Sequence, residues 1–149
     1  MTNAYVQTFC ATKISGAELE LTLDPKPPVA GQPITLTVSS DFRDDITAGT
    51  YIYIKLLEGA IGKEPLERCE YKQKICIGNE ALCPISVGKT VKVITNITML
   101  SEIEIKISDL IILAYIGKPR ESDGYVETIG CACYSSNPTY CTNLSHNSF

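Results

Sequence analysis

Hydrophobic and polar positions along the chain alternate with a period of two, not 3.6, which is the pattern of half-buried β-strands. Glu18-Leu19-Glu20-Leu21-Thr22-Leu23 turns its three leucines to one face and its polar residues to the other. Asp24-Pro25-Lys26-Pro27-Pro28-Val29-Ala30-Gly31 then breaks the pattern. Proline lacks the amide that a ladder needs, so a corner between two strands is predicted there. Ile34-Thr35-Leu36-Thr37-Val38 alternates again, with Leu36 and Val38 inward. In Tyr51-Ile52-Tyr53-Ile54-Lys55-Leu56-Leu57, the charge of Lys55 assigns the inner face to Ile52, Ile54 and Leu56. Residues 59–88 show no period and read as an irregular loop. Beyond them, Val91, Val93 and Ile97 point inward if Asn96 points out. Glu102-Ile103-Glu104-Ile105-Lys106-Ile107-Ser108 is the clearest alternation in the chain, and Leu110–Ile116 is apolar on both faces. Tyr125–Tyr134 completes the core, and a polar tail follows.

About seven short strands separated by turns, without an amphipathic helix or an internal repeat, read as an all-β, immunoglobulin-like two-sheet β-sandwich. A barrel fits the same spacing. The 149 residues suit a single domain. Its ordered core is expected over about 10–134, with the polar tail at 135–149.

Composition narrows the function more than the fold. The net charge of −4 comes without a basic stripe, so the electrostatic footprint of nucleic-acid binding is missing. No run approaches the ~18 apolar residues of a membrane-spanning helix. The single histidine, His146, lies in the tail, so a Ser-His-Asp or Cys-His arrangement lacks a base elsewhere. Asp44-Asp45 and Glu102/Glu104 read as solvated surface. No catalytic residue, cofactor or enzymatic activity is expected.

The seven cysteines, Cys10, Cys69, Cys76, Cys83, Cys131, Cys133 and Cys141, point to an oxidising compartment. The six-residue spacers of Cys69-x6-Cys76-x6-Cys83 do not match a zinc knuckle, so no metal is expected. Six paired cysteines allow 15 connectivities, and the seventh stays free or pairs between chains. The glycosylation sequons at Asn96 and Asn143 agree with a secreted or lumenal location, endolysosomal or vacuolar included. The first residues lack the basic and apolar regions of a signal peptide, so none is expected within the chain as it stands.

Four elements in order resemble a known family. Leu23-Asp24-Pro25-Lys26-Pro27-Pro28-Val29-Ala30-Gly31-Gln32-Pro33-Ile34-Thr35-Leu36 is similar to the Pro-Pro, Gly, alternating-strand passage of the ML (lipid-recognition) domain. Asp45-Ile46-Thr47-Ala48-Gly49-Thr50-Tyr51 resembles its acidic-Ile-x-x-Gly-x-Tyr stretch. Leu66-Glu67-Arg68-Cys69-Glu70 and Cys83-Pro84-Ile85-Ser86-Val87-Gly88 resemble its Asp-Leu-Cys-Glu and Cys-Pro-Ile/Leu-x-x-Gly elements. Within the family, the flavour is that of the fungal phosphatidylglycerol/phosphatidylinositol transfer proteins. The chain departs from the pattern at Leu100-Ser101-Glu102-Ile103, where the family has a Pro-x-Gly-x-Tyr turn.

The resemblance implies a lipid-binding or lipid-transfer protein that encloses a lipid tail or sterol between two sheets. Phospholipid, sterol and fatty acid all suit such an interior. The inward residues Leu36, Val38, Ile52, Ile54, Leu56, Val93, Ile97, Ile105, Ile107 and Ile112 are then the expected lining. Ala60, Ile61, Pro84 and Ile85 would sit near the mouth, and Lys63, Lys89 or Tyr53 would meet a headgroup at the rim. The expected bridges under this resemblance are Cys69–Cys83, Cys10–Cys131 and Cys133–Cys141. Transient membrane contact at the mouth, and a receptor or acceptor protein, are the partners it implies. The competing reading is an immunoglobulin-like interaction module with a fully packed core, presenting Tyr51, Tyr53 and Lys55 to a protein.

Overall fold

Strand formation follows the alternation and the proline and glycine punctuation just described. The computed structural model describes residues 5–7, 20–41, 49–60, 63–75, 90–101, 105–119, 126–137 and 140–141. Within them run β1 (Tyr5–Gln7), β2 (Glu20–Asp24), β3 (Pro33–Asp41), β4 (Tyr51–Ala60), β5 (Lys63–Lys74), β6 (Thr90–Thr98), β7 (Leu110–Pro119) and β8 (Val126–Ser135). They form a five-stranded sheet ordered β1-β8-β7-β4-β5 and a three-stranded sheet ordered β2-β3-β6, paired antiparallel throughout.

The sheets pack face to face through one apolar cluster. Leu21 and Leu23 of β2, Ile34, Leu36 and Val38 of β3, and Ile97 of β6 meet Ile52, Ile54 and Leu56 of β4 and Ile112, Ala114 and Ile116 of β7. The chain is therefore a two-sheet sandwich, as the period of two predicts. The corner between β2 and β3 closes at Gly31, whose φ of +72° is a conformation that costs glycine nothing. Its amide donates to the Leu100 carbonyl at 2.9 Å, tying the corner to the end of β6.

Four expectations are corrected. The segment from residue 59 is not all irregular, because β5 pairs along β4 from Ala60↔Lys63 to Tyr51↔Lys74. Its charged Glu70, Lys72 and Lys74 share the outer face, which leaves Cys69, Tyr71 and Gln73 facing inward, a set too polar to read as a core strand. The alternation at residues 105–108 does not extend as a strand. The Ile105 amide turns back to the Ser101 carbonyl at 3.0 Å, and a 3-10 turn spans Ile107–Asp109. Ile105 is nonetheless buried and Ile107 packs against the same core cluster, so the apolar face is real at these two positions.

The third correction concerns the outer face of the large sheet, which is covered. Tyr53, Leu57, Ile111, Leu113, Tyr115, Cys131 and Cys133 form a second apolar cluster there, with Tyr140 and Cys141 packed onto it. This explains why β7 is apolar on both faces. Lastly, the stretch beyond residue 134 is not simply a polar tail, because Tyr140 and Cys141 are buried. The Cys133–Cys141 disulfide holds them against β8, with a Cα–Cα distance of 5.8 Å.

Candidate functional site

β5 and β6 are edge strands of different sheets, so no ladder joins them. The sandwich opens along this side. A cleft of about 150 Å³ lies there, lined by Ile52 and Ile54 of β4, Tyr71, Lys72 and Gln73 of β5, and Thr95, Asn96 and Ile97 of β6. Strand parity decides which side chains face it. Ile52 pairs with Gln73 and Ile54 with Tyr71, so all four share the inner face. Thr95 and Ile97 pair with the core residues Leu36 and Ile34 and also point inward. The cleft is therefore floored by isoleucine and edged by uncharged hydrogen-bonding groups.

Its two charged or strongly polar neighbours face the other way. Lys72 Nζ lies 4.3 Å from the ring centroid of Tyr51, a cation–π contact on the outer face. The Asn96 side chain is exposed, and its Oδ1 accepts a 2.7 Å hydrogen bond from Thr35 Oγ1. Across the cleft, the Tyr71 hydroxyl donates to the Thr98 carbonyl at 3.4 Å, linking the two edge strands. Burial pushes the Tyr71 phenol above its ordinary value near 10, and the neighbouring Cys69 thiol adds to the shift. The hydroxyl thus keeps its proton at neutral pH. Thr95 is only 8% exposed, and its Oγ1 has no hydrogen-bond partner among the described residues.

Of the expected lining, Ile52, Ile54 and Ile97 border the cleft. Leu36, Val38, Leu56, Ile105 and Ile112 are buried in the adjoining core cluster, and Ile107 packs against it. Val93 stands in register with Val38 on β6. Ile61, Pro84, Ile85, Lys89, Cys10, Cys83 and Asn143 fall outside the described residues, and the Lys63 side chain is likewise not described. Sequence reasoning missed Tyr71, Gln73 and Thr95. The first two were hidden with β5. Thr95 occupies an inward position between Val93 and Ile97 and was passed over for its hydroxyl.

Three further expectations change. Tyr53 does not stand at a rim, because it lies on the outer face of β4, 4% exposed and stacked on Tyr115 at 4.8 Å between centroids. Lys55 is 6% exposed, with its Nζ 3.6 Å from carboxylate oxygens of both Glu67 and Glu70. The Tyr53 and Lys55 part of the docking surface imagined for an interaction module is therefore buried. Cys69 carries a free thiol, so the Cys69–Cys83 bridge is not formed. Cys69 sits on the inner face of β5, with Sγ 3.9 Å from the Tyr71 hydroxyl, packed against the core. Cys133–Cys141 is bonded as expected, and Cys131 is also disulfide-bonded.

Comparison with known proteins adds three findings. The family model of the ML domain matches residues 8–108. A phosphatidylglycerol/phosphatidylinositol transfer protein of the yeast Yarrowia lipolytica is 31% identical over 70 residues, which cover 46% of this chain and 35% of the relative. The match thus spans about a third of that relative's length. The crystal structure of a Niemann-Pick type C2 protein from the Japanese carpenter ant aligns with 87% of this chain and 96% of its own, at 15% identity and a TM-score of 0.45.

Proposed function

The chain belongs to the ML domain family, and from that premise we propose that it binds the apolar part of a lipid between its two sheets, admitted at the β5–β6 edge. The observation that carries this is the cleft itself, where the sandwich is unlaced and its floor is Ile52, Ile54 and Ile97.

Size sets the mechanism. A cleft of about 150 Å³ equals a cavity that admits benzene, whereas pockets for larger ligands run to ~300–1,000 Å³. A long tail must therefore part the sheets. The edges meeting there are β5 and β6, held by side-chain packing and the 3.4 Å bond from Tyr71 to Thr98. Each buried methylene is worth ~0.8 kcal/mol, so a chain of a dozen carbons gains on the order of 10 kcal/mol before ordering losses. That exceeds the cost of one weak hydrogen bond, ~1 kcal/mol.

The same reading makes the protein a carrier that leaves its lipid chemically unchanged, acting by transfer between membranes or to an acceptor. Phospholipid, sterol and fatty acid are its candidate cargoes, and brief membrane contact at the mouth follows from loading there. A secreted or lumenal location suits the Cys133–Cys141 disulfide. Asn96, exposed on β6, is the sequon position that a glycan would reach in that location. The test is organic extraction of protein purified from a eukaryotic secretory host, followed by lipid mass spectrometry. About one lipid per chain is expected. Protein that yields none, and takes up none from vesicles, contradicts the proposal.

A further inference from the structure

The alternation of β4, β5 and β6 selects the side chains that meet in the cleft. Those facing inward are Ile52, Ile54, Tyr71, Gln73, Thr95 and Ile97, and none is charged. Lys72 is drawn away to the Tyr51 ring on the opposite face, and Asn96 is engaged by Thr35. A bare anion entering here would lose its water without gaining a counter-charge, which is strongly unfavourable. An uncharged polar group loses less and regains it through one hydrogen bond.

Thr95 offers that bond. It is more than nine-tenths buried, and its Oγ1 has no partner among the described residues. Its cross-strand neighbour on the same face is Leu36, which provides neither donor nor acceptor. Buried hydroxyls are almost always paired, so an orphan bordering a cleft marks where a partner from outside would sit. A threonine hydroxyl donates one bond and accepts others, which suits an alcohol, ester or amide group. Thr50 Oγ1 and Tyr134 OH also lack partners among the described residues, but neither borders the cleft.

We propose that Thr95 is a specificity-determining subsite that hydrogen-bonds an uncharged polar group of the bound lipid, so that the chain prefers neutral lipids over phosphate-bearing ones of equal tail length. The proposal rests on the lipid-binding reading above, and its test separates the two. Displacement of the uncharged dye Nile red is measured with 1-monooleoylglycerol and with oleoyl lysophosphatidic acid, on the full chain and on Thr95→Val and Thr95→Ser. The full chain binds the glycerol ester at least about tenfold more tightly than the phosphate. Thr95→Val weakens the glycerol ester about tenfold, in line with one hydrogen bond to a buried group. It does not lower the melting temperature, because no bond to a described residue is lost. Thr95→Ser stays within about twofold of the natural chain. Equal effects of Thr95→Val on both lipids, or preference for the phosphate, overturns the subsite while leaving lipid binding intact. A melting temperature lowered by Thr95→Val, with ligand affinities unchanged, shows a structural hydroxyl and also overturns it. Failure of dye and both lipids to bind overturns the lipid reading and the subsite together.

Discussion

Gly59 lies directly beneath the ring of Tyr140: a Cβ at Gly59 would stand 2.7–2.8 Å from three of the ring carbons. The contact joins the end of β4 to a residue 81 positions later, beyond the last strand. The Tyr140 hydroxyl reaches on to Asp109 Oδ1 at 3.3 Å, and Cys141 is bonded to Cys133. Tyr140 and Cys141 thus pack onto the outer face of the large sheet, while the β5–β6 cleft lies on its inner face.

Gly59→Ala is expected to destabilise the protein by about 2 kcal/mol, because the ring must move to admit the methyl group. In a Tyr140→Ala background the same substitution should cost at least about 1 kcal/mol less. Denaturant unfolding of the four variants checks this. Additive costs would mean that the two residues do not meet.

The Cys133–Cys141 bridge closes a loop with a sequence separation of 8. Loop-closure entropy for a ring of that size corresponds to roughly 2.5 kcal/mol. The double variant Cys133→Ser/Cys141→Ser should therefore lower stability by about that amount in chemical denaturation. It should also return the Tyr140 phenol, held above its ordinary value by burial and by Asp109, toward that value.

The fold was legible wherever one face of a strand is apolar and the other polar. Leu21 and Leu23, Leu36 and Val38, and Ile97 were placed correctly by parity alone. Legibility failed in two physical situations. On β5 the inner positions carry Cys69, Tyr71 and Gln73, so the edge of the site looked like a loop. On β4 and β8 a second layer covers the outer face. A buried lysine, Lys55, looked like a surface residue because its neutralising Glu67 and Glu70 sit on a strand that had not been recognised. The ligand side of the site was read through family resemblance and isoleucine parity. Its polar edge, Tyr71, Gln73 and Thr95, was found only once β5 and β6 faced each other.

Lys55 gives a test of this cluster of one buried ammonium and two exposed carboxylates. Lys55→Met should change stability by no more than about 1 kcal/mol, since desolvation of the ammonium and its attraction to two carboxylates offset each other. Glu67→Gln/Glu70→Gln should cost more, about 2 kcal/mol, because the ammonium stays in place without either carboxylate. Thermal unfolding of both variants decides the order, and a costlier Lys55→Met would contradict it.

Alkaline titration probes the tyrosine-rich outer face. Burial, the first cause, together with Glu70, holds both Tyr53 and Tyr115 above the ordinary value near 10, Tyr115 the more strongly. A raised folded-state pKa means that the folded chain keeps protons the unfolded chain releases. The resulting stability is fully present below pH ~10 and is lost as pH climbs past it. Absorbance at 295 nm and the far-ultraviolet circular dichroism should therefore change together for the last tyrosines to ionise. Full ionisation near pH 10 with the fold intact would rule this out.

Tyr71→Phe removes the hydroxyl that links β5 to β6 through the Thr98 carbonyl. Stability should fall by no more than about 1 kcal/mol, while lipid uptake and release, followed by stopped-flow dye fluorescence, should quicken several-fold. Unchanged exchange rates would place the opening elsewhere on the sandwich.

The central claim, a lipid tail between the sheets at the β5–β6 edge, is tested most directly by photo-crosslinking with a fatty acyl lipid carrying a diazirine near the end of its tail. The account predicts adducts on the peptides containing Ile52 and Ile54, Tyr71 and Gln73, and Thr95 and Ile97, all suppressed by Ile97→Trp, which fills the cleft in a protein that still folds. Adducts concentrated on the outer face, at Tyr51, Tyr115 or Tyr140, or adducts unaffected by Ile97→Trp, would contradict it.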